Sequence, residues 1–193
     1  MTGARGRCGR VMTRLRAFGR AAEGLAAVEF ALLLPVLLLL YAGCIELTTA
    51  LALDRKTSRA ASTLVDLLAQ DAPTLLAGTD AVYAAEVTAI FDAVTAIFEP
   101  YPTTTAKLLL LVVTIDSPTR QTVVKCTTRN DVCANVGAIS PLTVPTSVAT
   151  SGQAIIGRVQ YTYTSPVSSV LMSLTGHDIY NLNHIFYMKP RSG

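Results

Sequence analysis

Residues 24–44 read GLAAVEFALLLPVLLLLYAGC, and this stretch decides the fold. It is apolar apart from Glu29 near its start, and the apolar character continues to residue 47. As a helix, residues 25–47 span about 35 Å, enough to cross a bilayer core of about 30 Å. Pro35 falls inside the stretch, and membrane helices tolerate an internal proline. The sequence therefore predicts a membrane-spanning helix that is kinked at Pro35.

Charge is distributed unevenly around this stretch. The whole chain has a formal net charge of +3, but residues 1–24 carry six arginines and one glutamate, so the remainder is net negative. A basic leader before an apolar span predicts a cytoplasmic N-terminus and a C-terminal part on the other side of the membrane. A nucleic-acid-binding arm would account for the arginines but not for the apolar stretch behind them. We therefore expect no nucleic-acid partner.

The helical pattern continues beyond the apolar stretch. Residues 51–70 contain no glycine or proline, and their apolar positions recur at helical spacing. The pattern predicts one long helix over residues 25–70 that leaves the membrane near Thr48 and is ended by Pro73. Glu46 marks the far membrane boundary, where we expect its carboxylate to reach interfacial water.

The remaining residues predict a small mixed domain. A second helix fits residues 79–98, with Thr79 or Asp80 as its N-cap, and Pro100 follows it. Beyond it the apolar pattern changes to that of strands, and residues 134–152 are typical of a loop. Residues 167–174 fit neither element clearly. The predicted strands are residues 108–115, 121–127, 153–164 and 179–188.

The predicted fold class is therefore α+β. A long N-terminal membrane-spanning helix continues outside the membrane and is followed by a second helix and an antiparallel sheet of about four strands. The expected organisation is a basic cytoplasmic leader over residues 1–24, a spanning and continuing helix over residues 25–70, and a periplasmic α+β domain over residues 71–193.

Two of the four cysteines are close in sequence. Cys126 and Cys133 enclose six residues in a polar stretch, which in an oxidising compartment favours a local disulfide. Closing so short a loop stabilises the fold by about 2.5 kcal/mol in the chain-entropy model. A metal site is the alternative, but the only histidines, His177 and His184, are distant in sequence. We expect a disulfide here and no metal site.

The start of the apolar stretch resembles a known family. Gly24, four intervening residues and Glu29 ahead of an apolar run resemble the cleavage site of type IV prepilins. The segment AVEFALLLP, residues 27–35, is similar to the TadE-like proteins of tight-adherence (Tad/Flp) pilus systems. Residues 59–66 and 159–166 extend the resemblance more loosely.

The resemblance implies a minor pilin or assembly component held in the bacterial inner membrane. A prepilin peptidase would cut the Gly24–Leu25 bond, just ahead of Glu29 and Phe30. Cleavage creates an amine at Leu25, and that amine, on the same helix or a neighbouring one, can neutralise the carboxylate of Glu29. The implied partners are other pilus subunits, the peptidase and the lipid bilayer. No catalytic role and no cofactor are implied for this chain.

Three alternatives remain open at this point. A signal-anchored envelope protein would keep its leader uncut and use its outer domain for binding. The segment YAGC, ending at Cys44, resembles a lipoprotein processing site, although the preceding apolar stretch is longer than a signal-peptide core. A hydrolase would need His177 or His184, and no recognised catalytic motif accompanies either histidine.

Overall fold

The computed structural model describes residues 22–77, 80–165, 176 and 179–191. Two helices, α1 and α2, precede four strands, β1 to β4, in an α+β arrangement that confirms the predicted fold class. The bounds are α1 Ala22–Ala77, α2 Asp80–Ala96, β1 Ala106–Ser117, β2 Arg120–Arg129, β3 Gly152–Thr164 and β4 Ile179–Met188.

Helix α1 is longer than predicted at both ends. It begins at Ala22 and runs through Pro73 to Ala77, so the prediction that Pro73 ends the helix was wrong. Proline has no N–H, and its presence leaves the carbonyl of Ala69, four residues earlier, without a helical donor. The backbone N–H of Arg191 donates to that carbonyl over 3.2 Å. A distant segment thus replaces the missing helical bond.

Helix α2 ends in a turn that α1 stabilises. The helix stops at Ala96, two residues before the predicted end, and residues 97–100 form turns. The ammonium of Lys56, on α1, donates to the carbonyl of Ile97 over 3.0 Å and also to the carbonyl of Glu99. Carbonyls at a helix C-terminus lack intrahelical donors, so a cation there is favourable. Thr79, a predicted cap, lies outside the described residues.

The four strands form one antiparallel sheet in the order β2-β1-β3-β4. Strand β4 has the predicted bounds, β3 begins one residue earlier, and β1 and β2 extend two or fewer residues beyond the predictions at each end. Consecutive strands β1 and β2 form a hairpin, whereas β3 pairs with the other edge of β1. Strand β1 is therefore central, and β2 and β4 are the edge strands.

The central position of β1 explains its unbroken apolar run. Its even-numbered residues pack in a core with α1 and α2, and its odd-numbered residues pack in a second core on the opposite face. A strand covered on both faces needs apolar side chains at consecutive positions. The helix-side core includes Leu64, Leu68, Val87, Phe91, Phe98, Leu108, Leu110, Val112, Ile155 and Val159.

Helix α1 approaches β3 most closely at Gly157. A Cβ atom at this glycine would lie 2.3 Å from Cγ2 of Val65 and 3.4 Å from the carbonyl oxygen of Ala61. The absent side chain is what lets the helix lie this close to the sheet.

The opposite face of the sheet is covered by the segment that follows β2. Val144 and Ala149 are buried there against the odd-numbered residues of β1. Gln121, 4% exposed, accepts from the N–H of Val144 over 2.7 Å and donates to its carbonyl over 3.1 Å. Ser140 also donates its N–H to the carbonyl of Gln121. The predicted loop, residues 134–152, is therefore held along the β2 edge of the sheet. Residues 167–174, which fitted neither helix nor strand in the sequence, lie outside the described part of the chain.

The chain divides into two compact units, Met1–Leu47 and Thr48–Gly193. Helix α1 contributes residues to both units. The second unit contains the sheet, α2 and the part of α1 that packs on them.

Candidate functional site

The predicted processing motif lies in the first turns of α1. Gly24 and Leu25 are the third and fourth residues of the helix, and Leu25 is 63% exposed.

Glu29 and Phe30 follow one turn later. Both are exposed, Phe30 by 58%. Residues four apart lie on one face of a helix, so Leu25 and Glu29 are neighbours on the surface of α1. The helix thus places the acid of the motif beside the residue that would carry a new N-terminus.

The surface around the motif is strongly apolar. One helix in the described part of the chain, within Leu25–Gln70, is long and apolar enough to cross a membrane, judged by length and composition alone. Fourteen large apolar side chains between residues 25 and 47 are exposed. Removing apolar surface from water is favourable by about 25 cal/mol per Å², so this surface is suited to contact with lipid or with other helices.

The second acid of this helix has a different environment. Glu46 is only 7% exposed, so the expectation that its carboxylate reaches interfacial water was wrong. Glu29, by contrast, is exposed and accessible to an external partner.

The structure joins Cys126 and Cys133 in a disulfide, with a Cα–Cα distance of 5.7 Å, which confirms that prediction. The enclosed residues turn back over the end of β1. Asn130 adopts a positive φ of 57° and donates its side-chain amide to the carbonyl of Ala106 over 3.1 Å. Asparagine is one of the residue types that tolerate this conformation.

The disulfide loop also places the carboxylate of Asp131 beside Arg158 of β3. Oδ2 of Asp131 accepts from Nη2 of Arg158 over 2.7 Å, and Oδ1 accepts from the N–H of Val132. Burial alone would raise the pKa of Asp131. The hydrogen bonds from Arg158 and Val132, with the charges of Arg158 and Lys107, outweigh that effect and hold the pKa below its ordinary value.

The histidines do not form a recognisable catalytic centre in the described residues. Nε2 of His184 lies 2.8 Å from Oδ1 of Asp54, which links β4 to α1 within the second unit. His177 lies outside the described residues. No group of three or more His, Cys, Asp or Glu side chains that could hold a metal is found within residues 22–77, 80–165 and 179–191.

One feature was missed by sequence reasoning. A surface depression of about 120 Å³ lies at the end of the sheet where Ala106 pairs with Tyr161. Its polar lining comes from β1, β3 and β4, and β2 separates β1 from the other two strands in the sequence. The sequence did contain a pattern that indicates this polar surface, because polar residues alternate with other residues along β3 and β4. It could be interpreted only once β1 was known to pair with β3. The polar lining residues are Lys107, Gln160, Thr162, Asn181 and Asn183.

Comparison with known proteins identifies the segment that carries the motif. Residues 24–65 match the family model described as TadE-like protein. The match begins at Gly24, covers the apolar stretch and ends within the part of α1 that packs on the sheet. It covers well under half of the chain and does not reach β1. It points to a component associated with a Tad pilus. Neither the curated proteins nor the solved structures give a significant match.

Proposed function

We propose that this chain is a TadE-like minor pilin or assembly component of a Tad/Flp type IV pilus. Residues 25–47 anchor it in the bacterial inner membrane, with residues 1–24 cytoplasmic and the second unit periplasmic. One observation carries the proposal: the segment that matches the TadE-like family is also the exposed apolar helix with Gly24 and Glu29 at its start.

In this proposal the chain is a substrate and not an enzyme. A prepilin peptidase adds water across the Gly24–Leu25 amide, which releases the leader as a carboxylate and leaves a protonated amine on Leu25. A carboxylate within a membrane costs about 2.5–3.5 kcal/mol at a helix centre and less near an end. The new amine, on the same helix or a neighbouring one, offsets this cost at Glu29.

The neutralised helix then packs with the helices of other pilus subunits in the membrane. The fourteen exposed apolar side chains give it a surface for both lipid and neighbouring helices. The disulfide between Cys126 and Cys133 fits an oxidising periplasm. The second unit contacts other pilus components outside the membrane.

Deletion and complementation test this proposal. Electron microscopy of cells lacking the protein should show loss of surface pili, and the wild-type chain should restore them. Glu29→Gln should restore at most a tenth of the pili, because the acid that pairs with the new amine is gone. Glu86→Gln is the matched control, since Glu86 is an exposed acid of the second unit, and it should restore pili fully.

Normal pilus numbers in the deletion strain would contradict a role in the pilus. Full restoration by Glu29→Gln would favour the alternative, an uncut envelope protein that uses the helix only as an anchor.

A further inference from the structure

The depression lies on the face of the sheet that points away from the helices. Lys107 pairs with Gln160 across β1 and β3, and Gln160 pairs with Asn183 across β3 and β4. Three polar side chains therefore form one row across three strands. Thr162 and Asn181 pair in the next row, where the hydroxyl of Thr162 lies 3.2 Å from Oδ1 of Asn181.

The row of Lys107, Gln160 and Asn183 is unpaired as far as the described residues show. In the part of the chain that the structure describes, none of these three side chains forms a hydrogen bond or ion pair. The nearby carboxylate of Asp131 is already held by Arg158 at 2.7 Å. The depression thus contains an ammonium and two carboxamides that have no bonded partner among the described residues.

The size of the depression limits what can enter it. A volume of about 120 Å³ equals the share of about four water molecules in the liquid, at about 30 Å³ each. Pockets for whole small molecules are larger, about 300–1,000 Å³. The space therefore fits one short polar group and not a sugar chain or a nucleotide. An ammonium flanked by amide donors best complements a carboxylate.

We propose that this depression receives an aspartate or glutamate side chain from a different protein that assembles with this one. The ammonium of Lys107 supplies the charge, and the amides of Gln160 and Asn183 donate hydrogen bonds to the carboxylate oxygens. The site is separate from the processing motif, and the contact does not require cleavage at Gly24.

A second copy of this chain has few acids to offer. Most described carboxylates of the second unit already lie beside a basic side chain of the same chain. These are Asp54, Asp66, Asp92, Asp116 and Asp131. Among the described carboxylates of this unit, only Glu86 and Glu99 are exposed and lack such a neighbour. A partner with a larger set of exposed, unpaired acids is therefore the better complement.

Carbodiimide cross-linking of intact membranes from cells that express the full chain tests the contact. The carbodiimide activates a carboxylate, a neighbouring lysine amine attacks it, and a urea leaves as the amide forms. Mass spectrometry of the purified, digested protein should find Lys107 joined to an aspartate or glutamate of another protein. Lys107→Arg should abolish this product, because the guanidinium is not acylated, whereas Lys189→Arg, at an exposed lysine, should preserve it.

A second experiment exchanges the charges of Lys107 and of the acid on the partner. Lys107→Glu should lower co-isolation of the cross-linked partner at least tenfold while circular dichroism shows that the chain stays folded, and a lysine at the partner's cross-linked acid should restore it. Lys107→Arg should retain co-isolation. The proposal is overturned if Lys107 gives no product with another protein, or if charge exchange fails to restore co-isolation. A product only with Asp131, or only with a second copy in a mixture of isotopically labelled and unlabelled cells, also overturns it.

Discussion

Gly157 determines how closely α1 can pack on the sheet. A methyl group added there would lie 2.3 Å from Cγ2 of Val65, a side chain with little rotational freedom. We expect Gly157→Ala to lower the free energy of unfolding of the full chain in detergent by about 1–3 kcal/mol, the usual cost of overpacking a core. Denaturant unfolding followed by near-ultraviolet circular dichroism measures this.

A double variant separates the clash from other effects of the substitution. Val65→Ala removes the atom that the new methyl group would meet. The loss in the double variant Gly157→Ala, Val65→Ala should therefore be smaller than the sum of the two single losses by at least 0.5 kcal/mol. Additive losses would show that the close approach at Gly157 does not limit packing.

Asp131 gives the second unit a specific dependence on pH. Its pKa in the folded chain is below the ordinary value, so its contribution to stability is complete above about pH 4. The contribution is lost as the pH falls through the folded pKa, because protons then bind the unfolded chain preferentially. Asp131→Asn should therefore flatten the fall in the urea midpoint between pH 5 and pH 3.

Asp116→Asn is the matched control for this measurement. Asp116 is more exposed, lies 3.8 Å from Arg120 and belongs to a surface pair that contributes little. It should leave the pH profile of the wild type unchanged. An unaltered profile in Asp131→Asn would contradict the stabilising role of the contact with Arg158.

At the scale of elements, the disulfide secures the loop that carries Asp131. Cys126 and Cys133 close a short loop, worth about 2.5 kcal/mol in the chain-entropy model. Reduction, or the double substitution of both cysteines by serine, should lower the melting temperature by about 5–10 °C, given the size of the second unit. Differential scanning fluorimetry with and without reductant measures this. The doubly substituted variant should not respond to reductant, and a wild-type melting temperature unaffected by reduction would contradict the account.

The order and type of the elements were predictable because each has a strong local pattern. The helical period of α1 and the apolar run of β1 are examples, and β4 was predicted to the residue. The end of α1 was not predictable in this way. Pro73 is a helix terminator by local rules, but the carbonyl it leaves free is bonded by Arg191, more than a hundred residues later. Local sequence patterns do not indicate a hydrogen bond between residues so far apart in the chain.

The loop after β2 illustrates the same limit. Its composition predicts a loop, and nothing local indicates that Gln121 would bind Val144 and hold the segment along the sheet edge. The polar depression is a further case, because it depends on the neighbours of β3 in the sheet. The disulfide, by contrast, was predictable because both cysteines belong to one short segment.

At the scale of the whole molecule, the two units have different surfaces. Residues 25–47 form an exposed apolar helix, whereas the second unit buries two cores around a central strand. The proposed processing motif is a local pattern, because its residues lie within two turns of each other. The match to the TadE-like family covers that motif and ends before the sheet. The role of the sheet must therefore be inferred from its own side chains.

The most direct test of the proposed processing is the mass of the protein extracted from membranes of cells that make it. If the chain is cleaved as proposed, this mass is that of a single polypeptide that begins at Leu25, without residues 1–24, and it shifts to the uncut mass when the peptidase gene is deleted. A membrane-extracted protein that keeps its leader in the presence of the peptidase would contradict cleavage at Gly24. Recovery of the protein in the soluble fraction without detergent would contradict the membrane anchor itself.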